Sequence, residues 1–327
     1  MSQAKFAFIA AFIVLAGMSG RSYAATNTVV GTCLAGAHYT TIQAAVTAAA
    51  AGSTVQVCPG TYPEQIVINK NLTLKGVASG TADAVTITQP AGGAVANTLS
   101  GIFGSLAAQI WVWNANATIS GIAIDGSNQP CPTSSTWVGI LYQGGGGLLT
   151  NSVVANSPPS CLTAISVFGD AATNLKLNNN AVLNCSGVCF ELDYSSNATI
   201  AGNSVTAMVP GQPIGVEIQS LNGPATVSNN TIANGNVGLV VASNAVTATG
   251  NNFLQCGVEL FGATNSIIQN NHISGAGLAL YISDTGTGGN NVTKNTVVGA
   301  VLGIHFAPSV GDVTAPNTFL DTATIHY

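Results

Sequence analysis

The sequence predicts an all-β fold, a parallel β-solenoid with an N-terminal helical cap. Two interleaved repeats and an alanine-rich opening segment carry that expectation. The first repeat is a strand, a turn asparagine and an apolar residue two positions on: "TNSV", "NNAV", "GNSV", "NNTI", "GNNF", "NNHI", "KNTV" and "PNTF". Its asparagines are Asn151, Asn180, Asn203, Asn230, Asn251, Asn271, Asn295 and Asn317, with Ile122 of "ISGIAI" in the same place one turn earlier. The second repeat, mostly glycine-aliphatic-x-apolar-x, reads "GILYQ", "AISVF", "CFELD", "GVEIQ", "GLVVA", "GVELF", "GLALY" and "GIHFA". The two alternate without a gap.

A period of 20 to 29 residues, short strands and no helical periodicity fit stacked β-coils. Leucine-rich repeats of similar length need a leucine framework that is missing. Coils stack about 4.8 Å apart, so equivalent residues form ladders. Asparagine suits a ladder because its amide bonds to copies above and below, and because it tolerates a left-handed backbone.

The chain opens with Lys5, the eleven-residue apolar run "FAFIAAFIVLA" and the small residues Ser22 and Ala24. This is the pattern of a secretory signal peptide, residues 1–24, too short to span a bilayer. Residues 25–327 form a single expected domain, secreted or held in the periplasm or cell envelope, with a cap region over about 25–55. In that region "YTTIQAAVTAAAAGSTV" offers Thr40 or Thr41 as an N-cap and Gly52 as a stop.

Removal of the signal takes Lys5 and Arg21 with it. Four lysines (Lys70, Lys75, Lys176 and Lys294) then face all 11 carboxylates, a net charge of −7. A chain so short of cations is unsuited to nucleic acid, whose phosphates need Lys and Arg. All seven cysteines remain, which suits disulfides in an oxidising compartment. Cys33–Cys58 and Cys131–Cys161 are the expected bridges, with Cys185 and Cys189 paired if the turn permits. Cys256 is then the free thiol, acting as a small buried apolar residue.

"YTTIQAAV" followed by "VQVCPGTYPEQIVINKNLTLKGV" resembles the opening of right-handed parallel β-helix proteins of the pectin-lyase-like superfamily. The later asparagine coils resemble that group's generic repeat. The resemblance covers nearly the whole mature chain and implies a right-handed helix with a substrate groove on an outward strand face. Its catalytic motifs do not carry over. Pectin methylesterases and the common pectate lyases use arginine, and "GIFG" lacks the methylesterase aspartate. The polygalacturonase Asn-Thr-Asp and Gly-His-Gly segments are missing, as is the alginate epimerase Asp-Pro-His. Some smaller lyase families use lysine, which leaves a lyase open.

The outward positions of the second repeat form two expected columns. One is Leu141, Ser166, Glu191, Glu217, Val240, Glu259, Ala279 and His305; the other is Gln143, Phe168, Asp193, Gln219, Ala242, Phe261, Tyr281 and Ala307. In a chain with 5% charged residues, they gather Glu191, Asp193, Glu217 and Glu259. Adjacent coils would bring the Glu191 and Glu217 backbones to about 5 Å, where two charges repel by roughly 0.8 kcal/mol in water and 3 kcal/mol at a dielectric of 20. Three arrangements relieve this. The side chains splay into water, one carboxyl keeps a proton and serves as an acid, or Glu191, Asp193 and Glu217 share calcium.

The expected catalytic residues are Glu191 and Glu217. Asp193, Gln219, Glu259, Phe168, Phe261, Tyr281 and His305 are the expected contacts to a polysaccharide. Asp125, Asp170, Asp284 and Asp312 read as turn residues. The expectation is thus an exported protein that binds, and as a lyase or hydrolase cleaves, an extracellular polysaccharide. The alternative is a non-catalytic cell-envelope or adhesive scaffold.

Overall fold

Each coil lays down three short strands, and the turns between them decide the architecture. In the computed structural model, which describes residues 28–78, 84–127, 134–158, 164–207, 213–283, 288–306 and 311–323, one such coil runs through Leu175–Asn178, Ala181–Cys185 and Val188–Asp193. Ala198–Ala201 then pairs in parallel with Leu175–Asn178 and starts the next coil. Repetition builds three sheets of 12, 11 and 11 strands. All pairings are parallel except that of Thr98–Ser100 with Gly104–Trp113. The expected signal peptide, residues 1–24, and the expected Cys131–Cys161 bridge lie outside the described residues.

The corner between the first and second sheets is where the asparagines act. From Asn180 to Asn295, the residue before each ladder asparagine is left-handed: Asn179 (φ 56°), Gly202 (66°), Asn229 (54°), Gly250 (66°), Asn270 (56°) and Lys294 (60°). Asparagine and glycine tolerate that conformation best. The following asparagine is turned inward. Asn230 Nδ2 donates to Asn251 Oδ1 (2.9 Å) and to Ile200 O (2.9 Å), and Asn251 Oδ1 also accepts from the Asn230 backbone N–H (3.0 Å). The same pattern links Asn180, Asn203, Asn251, Asn271 and Asn295 to their successors, ending at Asn317.

One rung differs from the sequence reading. Val153 is in register with Ala181, so Ser152, not Asn151, stands opposite Asn180, and the Ser152 N–H donates to Asn180 Oδ1 (3.1 Å). Asn151 is the exposed left-handed residue before it (φ 48°). "TNSV" and "NNAV" are therefore offset by one residue.

Inside the coils, aliphatic residues stack along the axis. Leu149, Leu177, Ile200, Val227, Ala248, Ile268 and Val292 line the first sheet in register, all fully buried. Each large one contributes on the order of 1.5–3 kcal/mol by leaving water. The glycines of the second repeat sit where strands meet this core: a Cβ on Gly238 would lie 2.4 Å from Phe253 Cδ1 and 3.0 Å from Cys256 Sγ.

The expected cap is the helix Ile42–Ala48. Thr41 Oγ1 accepts from the Ala44 N–H (3.2 Å), which makes Thr41 the N-cap. The Glu64 carboxylate accepts from the N–H groups of Ile42 (2.8 Å) and Gln43 (3.0 Å), and Lys70 Nζ donates to Thr47 O and Ala49 O at the other end. Scarce charges thus sit where the helix ends need them. Ile42, Ala45 and Val46 close the first coil by joining the core. Cys33–Cys58 and Cys185–Cys189 are disulfides, and Cys256 is a buried free thiol.

Candidate active site

The outward face of the third sheet carries the acidic residues, with a register that departs from the sequence reading. Leu141 pairs with Phe168, Phe168 with Glu191, Glu191 with Glu217, Glu217 with Val240, Val240 with Glu259, Glu259 with Tyr281 and Tyr281 with His305. Alongside, Trp113, Gln143, Asp170, Asp193, Gln219 and Ala242 are in register. Phe168 replaces Ser166 in the first column, Tyr281 replaces Ala279, and Asp170 takes the place expected for Phe168. A slip of two residues keeps every side chain on its own face, so hydrophobic alternation cannot detect it. Asp170, read as a turn residue, is the last residue of the strand Ile165–Asp170 and belongs to the cluster.

Four carboxyls therefore meet: Asp170, Glu191, Asp193 and Glu217. Asp170 is 6% exposed and Glu191 and Asp193 are 0% exposed, while Glu217 is half-buried and reaches the surface. Asp170 Oδ2 accepts from Gln143 Nε2 (3.0 Å), and Glu217 Oε1 accepts from Gln219 Nε2 (2.6 Å). None of the four carboxyl oxygens of Glu191 and Asp193 finds a donor among the described residues. The groups that meet the Glu191 carboxyl are those of Asp193 and Glu217. Two ionised carboxylates cannot bond, since neither has a hydrogen to give; one proton between them makes the contact a hydrogen bond.

The electrostatics point the same way. Burial, then repulsion from Glu217 and Asp193, holds Glu191 well above the usual carboxylate range. Burial pushes Asp193 up to about 7, with the bond to Glu191 opposing and the charges of Asp170 and Glu217 adding. Burial raises Glu217 too, against the bonds from Glu191 and Gln219. No lysine or arginine stands in either column. Burial and mutual repulsion thus favour a proton held within the cluster, with Glu217 at its mouth.

Among the described residues no three His, Cys, Asp or Glu side chains converge in a geometry that would hold a metal ion. The expected calcium set of Glu191, Asp193 and Glu217 gains no support from that arrangement.

The expected aromatic contacts divide. Phe168 offers no face to a ligand, being fully buried with Phe103 packed edge-on against it (centroids 5.5 Å, 85°). Phe261 is 57% exposed, and Tyr281 stacks on the exposed His305 (5.4 Å, 19°). Glu259 is half-buried beside a cleft of about 350 Å³ lined by Asn236, Cys256, Gly257 and Gly277. The sequence reading passed over "IWVW". Its Trp111 and Trp113 stack on the same outward face (5.5 Å, 29°), with Trp113 45% exposed. Their i, i+2 spacing in a strand was the available signal.

Residues 108–257 and 163–319 match the family described as Right handed beta helix region. The chain belongs to this family. The β-helix is also similar in fold to solved structures of low identity. One is the Dettilon tailspike protein (12% identity, TM-score 0.54, 82% of this chain and 61% of that one). Others are a mannuronic acid specific family 6 lyase from human gut microbiota (12%, 0.54, 82% and 74%) and the A-module of a mannuronan C-5 epimerase of Azotobacter vinelandii (16%, 0.52, 87% and 90%). The β-helix spans 56% and 61% of the two viral chains it matches. No curated protein matches its sequence. These similarities establish the pectin-lyase-like, right-handed parallel β-helix fold.

Proposed function

We propose that this β-helix binds an extracellular polysaccharide along the outward face of its third sheet and hydrolyses it with the carboxyl cluster. The observation that carries the reading is the Glu191–Glu217 contact, two carboxyls that need a shared proton, opening to the surface at Glu217. Similarity in fold to polysaccharide lyases, an epimerase and a tailspike supports a glycan partner.

The charge of the face selects among glycans. Five carboxyls (Asp170, Glu191, Asp193, Glu217 and Glu259) and no lysine or arginine in the two columns disfavour a polyuronate and leave its carboxylate without a cation. A neutral or amino-sugar chain fits, and with it hydrolysis rather than uronate elimination. The cluster gives a proton to the glycosidic oxygen as the C1–O bond breaks. Water adds its hydroxyl to C1 and returns its other proton to the cluster, so the carboxyls end as they began. Glycosidases that use two separate carboxyls hold them about 5 to 9.5 Å apart. Glu191 and Glu217 face each other in register on adjacent strands and act as one proton-sharing unit, with Asp193 and Asp170 setting its charge. Gln219, Glu259, Phe261, Tyr281 and His305 are the sugar contacts.

The enclosure of Glu191 and Asp193 favours a second reading, a non-catalytic envelope or adhesive scaffold in which the protonated carboxyls are packing elements. In both readings the protein is exported and then secreted or retained in the envelope, which suits the two disulfides among the described residues. Binding and reducing-end release measured on cellulose, mannan, xylan, chitosan and alginate, for wild type and Glu217→Gln, separate the two. Hydrolysis of a neutral or amino-sugar glycan, abolished by Glu217→Gln, supports the enzyme; no binding to any glycan supports the scaffold.

A further inference from the structure

We infer that the groove is closed at one end beside the carboxyl cluster, so that the protein takes a chain end rather than the middle of a chain and releases short products. This rests on the hydrolase reading above and adds its mode of action.

The wall is the segment 98–103, which folds over the outward face of the third sheet. Thr98 Oγ1 donates to Gln143 Oε1 (2.8 Å), and Gln143 Nε2 donates to Leu99 O (2.6 Å). The same Gln143 amide holds Asp170, so the wall is tied directly to the cluster. One coil away, Phe103 seats on Phe168. Leu106, Ala108, Val138, Leu141, Ile165 and Phe168 form a second apolar cluster, separate from the core inside the coils, with Phe103 and Trp111 at its margin. Most soluble β-faces are solvated on one side; here an apolar packing contact seals it.

Exposure along the first column shows the direction of entry. Leu141, Phe168 and Glu191 are fully buried; Glu217, Val240, Glu259 and Tyr281 are half-buried; His305 is exposed. The open part of this column begins at Glu217 and runs past Glu259, two coils on, to Tyr281, three coils or about 14 Å away. The terminal unit of a chain in this column would lie at Glu217, where the covered end of the column begins. The stacked Trp111 and Trp113 lie beyond the wall and do not share this path.

The test uses the full-length protein with cello-, manno-, xylo- and chito-oligosaccharides tagged at the reducing end, and with the corresponding soluble polymers. The expected result is one short product from the first minutes, and reducing ends that accumulate while polymer viscosity holds. A spread of mid-chain products with a rapid fall in viscosity overturns the inference and leaves the hydrolase reading standing. No cleavage of any probe overturns the hydrolase reading and the inference with it. Phe103→Ala should raise the share of mid-chain products severalfold. If it does not fold by circular dichroism, Phe103→Leu and Thr98→Ala serve instead, and an unchanged product pattern in both folded variants also counts against the wall.

Discussion

Glu191 and Glu217 stand opposite each other on neighbouring strands, and the Glu191 carboxyl has no hydrogen-bond donor except a protonated carboxyl beside it. Glu217 is the one of the pair that reaches solvent. Stability, pH response and chemistry all follow from where that proton resides.

The first consequence is a stability that falls as pH rises. A carboxyl whose pKa is higher in the folded state binds more protons there than in the unfolded chain, so between the two values stability decreases with pH. Asp193, pushed up to about 7, sets this window from about pH 4 to about pH 7, and Glu191, raised in the same direction, adds to the fall. The melting temperature should drop by several degrees between pH 5 and pH 8 in scanning fluorimetry. The drop should shrink in Glu191→Gln, which keeps the shape and supplies a neutral donor. A variant that loses as much as wild type would show that the cluster does not hold the proton.

The asparagine ladder gives a register-specific prediction. Asn230→Ala removes two donated bonds and leaves the Asn203 side-chain amide and backbone N–H without their acceptor inside the turn. Each buried orphan costs about 1–3 kcal/mol, so urea unfolding should show a loss of roughly 3 kcal/mol or more. Asn151→Ala, at the exposed position before the rung, should cost about 1 kcal/mol for its left-handed backbone alone. Equal losses would contradict the offset assigned to "TNSV".

Cys256 should be silent to thiol reagents in the native protein. It is buried, its thiol is pushed up to about 11 by burial, and a Cβ on Gly238 would touch its sulfur. A chromogenic disulfide reagent should titrate less than one-tenth of this thiol natively and all of it in guanidinium. Rapid native reaction would mean that the coil opens there.

Much of the fold was legible because its turns are chemically demanding. Left-handed corners favour asparagine or glycine, and inward rungs need an amide, so pairs such as "NN" and "GN" mark each coil. Thr41 and the alanine run marked the cap for equally local reasons. The site was less legible because parallel pairing has no local signature. The placement of Asp170 depends on which residue of the next coil it faces, and Ser166 and Phe168 satisfy the same alternation. Phe168 looked like a free outward ring because nothing in its own strand reveals that Phe103, 65 positions earlier, lies on it. Trp111 and Trp113 were visible as an outward pair but fall before the first glycine-aliphatic repeat that framed the reading.

The most direct test of the central claim is the pH profile of reducing-end release from a neutral or amino-sugar glycan by wild type and Glu217→Gln. Activity should decline above neutral pH as the cluster loses its shared proton, and Glu217→Gln should lose at least about a hundredfold at unchanged fold, in keeping with the size of acid–base contributions. Wild-type rates in Glu217→Gln across the pH range would contradict it.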